Sequence, residues 1–487
     1  MNRRELLQNL AGLLGTLGLG TLDRSLAPAA PRREPQPTTG LAFARQQARW
    51  WAEQYVRQAW GADTINAVTG EPVNPNSAFS PAIGHLLNQA RILGDQRLQE
   101  RCLDYLATHD ARKATWAPPP MKGICGEHIS FCTDVYWLAY EISGEEAFRQ
   151  KALTMAGEYL ERAFEEEYEV VQFSYDFHTG RAEGDQYLNH AAHLIGTLTR
   201  LDEEFIRSCC RRLAAHIMNH LSPIGWPYQL YRASRDPLPA ADIYGPGVRP
   251  QRAAQMGEGY PEIWAEHPIT RQDMITDFLE ALCLAHEVTG EVAYRRSAEQ
   301  VLDSFLRYSY EPQEGKLYLV DVETGERLPN RVQFQHLCTC LLIRSLCMLG
   351  QVSVAEEFAA RLREYGRENG LYVEWSWLGW GRSQRCNLAL EPATALLYLY
   401  AHTGKELYLT WIDEYLESLV QHAKRAYGFA QIRTDNLAIE RPDDCHIFGG
   451  GIAPAFVLPH LLPPKQTRGL PDMFELYHQP LPPAKQS

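Results

Sequence analysis

Long apolar runs are scarce in this chain. No segment after the N-terminal region offers about 18 uninterrupted apolar residues, so no membrane span is expected there. Basic charge is short as well. The 47 Lys and Arg are outnumbered by 60 Asp and Glu, a formal net charge of −13, which excludes nucleic acid as the main partner. Cys-x-x-Cys pairs are absent, and none of the eleven cysteines stands at a zinc-knuckle spacing. Several fall in apolar helical phrases (Cys283, Cys338, Cys340, Cys347), where a small buried thiol is the default. Cys125–Cys132 is a candidate disulfide. A metal at His190 and His193 would need further ligands that no spacing marks, so neither a metal nor a cofactor is expected.

What the chain does have is a phrase that recurs. It runs from Leu138 to Ala152, again from Leu284 to Ala298, and in a form one residue shorter before its Gly from Leu399 to Leu409. In each copy an apolar helix stops at Gly144, Gly290 or Gly404, where a left-handed C-cap suits a residue without Cβ. A charged residue follows, then an aromatic, and a second helix begins: a helical hairpin with a very short turn. The same reading gives six hairpins, with first helices near 80–93, 128–143, 187–201, 271–289, 333–349 and 387–403. Their second helices lie near 96–108, 145–164, 203–221, 291–308, 353–368 and 405–424. An aromatic-rich helix over 41–60 and a short terminal helix over 451–461 flank them.

The first helix of each pair is apolar nearly all round and the second is amphipathic, so the first set is buried and the second has a wet face. An inner ring inside an outer ring satisfies both patterns. The expected fold is therefore all-α, an (α/α)6 barrel in one domain over 41–462, followed by a Pro-rich tail over 463–487. Inner-to-outer turns are tight. Outer-to-inner connections are long (109–127, 165–186, 222–270, 309–332 and 369–386 among them), and all must lie at one end. Inner-helix N-termini point there and bring partial positive charge, so the site is expected at that rim.

Asn2-Arg3-Arg4-Glu5-Leu6-Leu7, a Gly-rich apolar stretch and Ala27-Pro28-Ala29 resemble a bacterial twin-arginine export signal over 1–30. That implies a periplasmic or secreted protein, with residues 31–40 as a linker. The Gly-turn hairpins resemble the six-hairpin glycosidase superfamily, which includes unsaturated glucuronyl hydrolases, N-acylglucosamine epimerase-like proteins and toroidal polysaccharide lyases. The resemblance implies a carbohydrate substrate. It leaves the sugar, the reaction and the oligomeric state open.

Candidate site residues fall on the long-loop face. Acids at inner-helix starts are Glu127, Asp134, Asp185, Asp273, Asp277, Glu374 and Glu391, with Asp273 and Asp277 four apart on one helical face. Hydrolysis of a glycoside needs one carboxyl held protonated and another ionised, and acids around a pit can supply both. Glu374 and Asp134 stand among aromatics that can stack on sugars. Asp185 and His128 belong to the same rim. A second set is Asn189, His190 and Tyr244, similar in spacing to alginate-lyase-type enzymes, where Asn and His neutralise a uronate and Tyr or His moves the protons. Here Leu188 and His193 replace two residues of that signature. Trp226, Trp264, Trp375 and Trp377 offer faces for sugar C–H groups, and Arg249 offers a partner for an acidic sugar. The leading expectation is a glycoside hydrolase with paired carboxylates. A lyase, a sugar epimerase and a non-catalytic glycan-binding toroid are the alternatives.

Overall fold

The computed structural model describes residues 64–71, 79, 81, 83–114, 123–231, 269–313, 316–328, 336–376, 381–384, 391–427, 429–441 and 445–446. Side chains of Glu374 and Trp375 are not among the described features. The expected export signal, the 41–60 and 451–461 helices, the tail, and Tyr244, Arg249, Trp264 and Trp377 lie outside the described residues.

Six helical hairpins form an (α/α)6 toroid. The inner helices are α1 (Ile83–Leu93), α3 (Gly126–Ser143), α5 (Leu188–Leu198), α7 (Gln272–Thr289), α9 (His336–Met348) and α11 (Glu391–Thr403). Each is followed by an outer helix: α2 (Gln96–Thr108), α4 (Glu146–Ala163), α6 (Glu204–Asn219), α8 (Val292–Ser309), α10 (Val352–Tyr365) and α12 (Leu407–His422). Each inner helix packs on the next, α1 on α3, α3 on α5, and so on to α9 on α11. Burial explains the two patterns. In α9 every residue from Cys338 to Cys347 is buried, whereas α10 buries only Ala355, Phe358, Ala359 and Leu362, one stripe at helical spacing.

The closed end is set by glycine. Gly144 (φ +71°) and Gly290 (φ +72°) cap α3 and α7 in the left-handed region, their amides bonding the carbonyls of Tyr140 and His286. A Cβ at either position meets nothing within 4 Å, so the cost of a side chain there is purely conformational. Gly144→Ala and Gly290→Ala are each expected to lose about 1–2 kcal/mol in urea denaturation, without changing the site.

The described parts of the long connections are ordered. They carry short antiparallel strands: Ile124–Cys125 against Ser174–Asp176, that strand against Arg181–Glu183, and Gln186–Tyr187 against Leu230–Tyr231. A four-stranded sheet joins Glu374–Ser376, Gly381–Gln384, Gln431–Arg433 and Ile439–Arg441. Buried loop backbone must find partners, and these ladders supply them. Two-residue strands leave no readable alternation in the sequence. Cys125 and Cys132 are both buried free thiols, so the candidate disulfide between them is not formed. No described helix is long and apolar enough to cross a membrane.

Candidate active site

Two strand pairs position the rim. Cys125 ends the strand paired with Ser174–Asp176, and α3 starts at the next residue. Tyr187 is paired with Leu230 just before α5 begins. Gly126 lets the two helix starts meet: a Cβ there would stand 3.1 Å from the Tyr159 hydroxyl, 3.2 Å from Leu194 and 3.6 Å from the His190 Cβ. This close approach brings Glu127, in the first turn of α3, onto the histidines of α5. The His190 Nε2 is 3.5 Å from one Glu127 oxygen, and the His193 Nε2 is 3.8 Å from the other.

Aromatic rings fix these imidazoles. Phe173 stacks on His190 at 4.5 Å between centroids, and Phe131 meets His193 edge-on at 5.3 Å. The His128 Nδ1 lies 2.9 Å from the Cys125 sulfur. Burial holds His128 below its ordinary pKa; Glu127 opposes that and His193 adds to it. Burial also pushes the Cys125 thiol up to about 12, with Glu127 adding to the shift.

The next inner helix, α7, packs on α5 and carries an acidic face. Asp273, Asp277 and Glu280 follow at intervals of four and three residues, so they share one face and descend about 10 Å along the axis. Asp273 is held by Arg271, whose Nε donates to its Oδ1 at 2.9 Å. Asp277 shares a small cavity with His193, Gly196, Thr197, Glu280 and Leu284, about 20 Å³ in volume. Burial raises the Asp277 carboxyl to about 7. His193 acts against that rise, while Asp273, Glu127 and Glu391 reinforce it. Beneath lies a buried ion triad. Arg344 of α9 is 0% exposed and donates to Glu280 at 2.5 and 2.9 Å and to Glu391 of α11 at 2.6 Å.

Glu127, His128, Asn189, His190 and Asp273 lie in the first turns of inner helices, and Asp185 stands three residues before α5. Two candidates are placed elsewhere. Asp134 is eight residues into α3, about 12 Å down the axis, where it accepts from Arg200 at 2.8 Å. Trp226 is fully buried and stacks on Phe305 of outer helix α8 at 5.5 Å, so it packs the wall and presents no face to a sugar. Three site residues escaped sequence reasoning: Cys125, Glu280 and Arg344. The last two carried a signal, since charges inside otherwise apolar helices require partners when buried.

The fold is an α/α toroid of six helical hairpins, with polar groups both at the inner-helix starts and in the ion triad deeper between α7, α9 and α11. No family model matches the chain, and no curated protein matches it in sequence. Solved structures do match. The chain is similar to an alpha-1,2-mannosidase from Trichoderma reesei, with TM-score 0.68 and 15% identity over 88% of this chain and 94% of that one. It is also similar to a sugar epimerase from a ruminal bacterium, with TM-score 0.55 and 13% identity over 86% and 98% of the two chains. A cellobiose 2-epimerase from Spirochaeta thermophila aligns with TM-score 0.54 and 14% identity over 87% and 99%. At these identities the likeness is one of fold.

Proposed function

We propose that the protein processes a carbohydrate at the open rim of the toroid, as a glycoside hydrolase whose paired carboxyls are Asp277 and Glu127. The observation that carries this reading is their convergence on His193: Glu127 from α3 lies 3.8 Å from its ring, and Asp277 from α7 shares a cavity with it. The two acids have different surroundings. Asp277 holds its proton to about pH 7 and suits donation to a departing glycosidic oxygen. Glu127 lies beside two imidazoles and suits the ionised role of base or nucleophile. The cavity of about 20 Å³ has room for a water molecule only. In this reading the sugar ring therefore sits above it, toward Glu127 and Asp273. The named activities of the mannosidase and epimerase with this fold support a sugar substrate.

A second reading is epimerisation. It is favoured by the imidazoles of His190 and His193 flanking one carboxylate, a set able to remove a proton beside a carbonyl and return it. The two readings separate in one experiment. The protein is incubated in D2O with neutral and uronate-containing oligosaccharides, and reducing ends, ultraviolet absorbance of unsaturated ends, and deuterium at carbon are followed. Hydrolysis predicts new reducing ends alone. Deuterium without cleavage would replace hydrolysis by epimerisation, and unsaturated ends would restore the lyase reading through Asn189, His190 and Tyr244. No change with any glycan would leave binding only. Export is a further part of the proposal, supported by Arg3-Arg4 and the apolar stretch behind them. Cell fractionation checks it, with retention in the cytoplasm counting against it.

A further inference from the structure

We propose that Cys125, Glu127 and His190 form a binding site for a divalent transition-metal ion, with zinc as the preferred occupant. Their ligand atoms, one thiol sulfur, one carboxylate oxygen and one imidazole nitrogen, all lie within 4.8 Å of one another. Bond lengths of about 2.0–2.3 Å place the ligand atoms of a tetrahedral zinc ion roughly 3.3–3.7 Å apart. The site therefore closes on an ion by about 1 Å, a displacement that side-chain rotation supplies. The 3.5 Å separation of His190 Nε2 from Glu127 already has that spacing.

Cys125 and Glu127 come from one strand-to-helix junction at the start of α3, and His190 comes from the facing first turn of α5. Cys125 is fixed by the strand pairing with Ser174, Glu127 by the first turn of α3, and His190 by its stack on Phe173. Flanking groups have the geometry of outer partners. The His128 Nδ1 is 2.9 Å from the Cys125 sulfur, and the His193 Nε2 is 3.8 Å from the second Glu127 oxygen. Such partners orient ligands and strengthen metal binding. The donor chemistry selects the ion. Thiolate and imidazole favour zinc and its neighbours, whereas calcium and magnesium require oxygen ligands. Three protein ligands leave a fourth position for water or a substrate oxygen. The inference does not rest on the carbohydrate reading. Glu127 serves both, so bound zinc withdraws it from the hydrolytic pair.

The test is a titration of the chelator-treated full chain with ZnCl2 by calorimetry and with CoCl2 by absorbance. One ion per chain is expected, with visible bands of tetrahedral cobalt and a near-ultraviolet thiolate-to-cobalt band. Cys125→Ser should remove the thiolate band. Glu127→Gln and His190→Gln should each weaken zinc binding by about a hundredfold or more. Circular dichroism verifies that each variant is folded, and Glu127→Gln, nearly isosteric at a half-buried position, keeps the test open if Cys125→Ser is not. Absence of zinc binding by the unaltered protein overturns the assignment. So does a thiolate band that persists in Cys125→Ser, or zinc affinity unchanged in both Glu127→Gln and His190→Gln.

Discussion

Arg344→Met is expected to lose about 3–5 kcal/mol of folding stability. The guanidinium is wholly buried and holds Glu280 through two hydrogen bonds and Glu391 through one, so it ties α7, α9 and α11 together. Burial pulls its pKa down, but the two carboxylates outweigh burial and keep it charged. A methionine fills the space of the stem and leaves two carboxylates facing each other in the core, with Asp277 close enough to feel Glu391. Carboxylates left without their cation have raised pKa values, so they bind protons in the folded state that the unfolded chain releases. The deficit of the variant should therefore be larger near about pH 8 than near about pH 5. Urea denaturation at both values reads this directly. The triple variant Arg344→Met, Glu280→Gln, Glu391→Gln removes the charges together and should recover most of the loss, because a buried triad often contributes little net stability over a neutral replacement. A single variant as stable as the unaltered protein, or a triple variant no better than the single, would refute the electrostatic account.

Which parts of this architecture could be read from the sequence follows from where the information lies. The hairpins were legible because their signals are local: a run of apolar residues, a stop at Gly144 or Gly290, and an amphipathic return. Their common polarity then located the rim, since all tight turns must share one end. What was not legible is which side chains of different inner helices meet. Glu127 and His190 are sixty-three positions apart, and their meeting depends on the packing of α3 on α5, which is close at Gly126. Asp134 had aromatic neighbours in sequence that suggested a sugar site, yet two turns of helix carry it down to Arg200. Trp226 resembled a loop platform, but the ladder of Leu230–Tyr231 against Gln186–Tyr187 orders its connection and buries the indole against Phe305. Cys125 gave no signal because a two-residue strand has no pattern to read.

Asp277→Asn should separate chemistry from stability, moving the two in opposite directions. Asp277 has a folded-state pKa near 7 against an ordinary value of 3.8, so the native protein holds a proton that the unfolded chain gives up. Its contribution to stability is fully present below the lower value and is lost as pH rises toward the upper one. Above pH 7 the folded chain carries a half-buried carboxylate facing His193 of α5, Asp273 and Glu280 of α7, Glu127 of α3 and Glu391 of α11, and of these the histidine alone favours its charge. Asparagine removes that cost. The variant should therefore gain stability over the unaltered protein, and the gain should be about 2 kcal/mol larger near about pH 8 than near about pH 5. Denaturant midpoints at the two values measure it, and equal gains at both would mean that Asp277 ionises as an ordinary carboxyl. Activity should fall. A positioned general acid contributes about 10²–10⁴-fold, and asparagine has no proton to give, so glycoside cleavage should drop by that factor while sugar binding is retained. The pH profile supplies the link between the two measurements. If Asp277 is the acid, cleavage by the unaltered protein declines above about pH 7, the same value at which its stability advantage is exhausted, and the residual rate of Asp277→Asn shows no such limb.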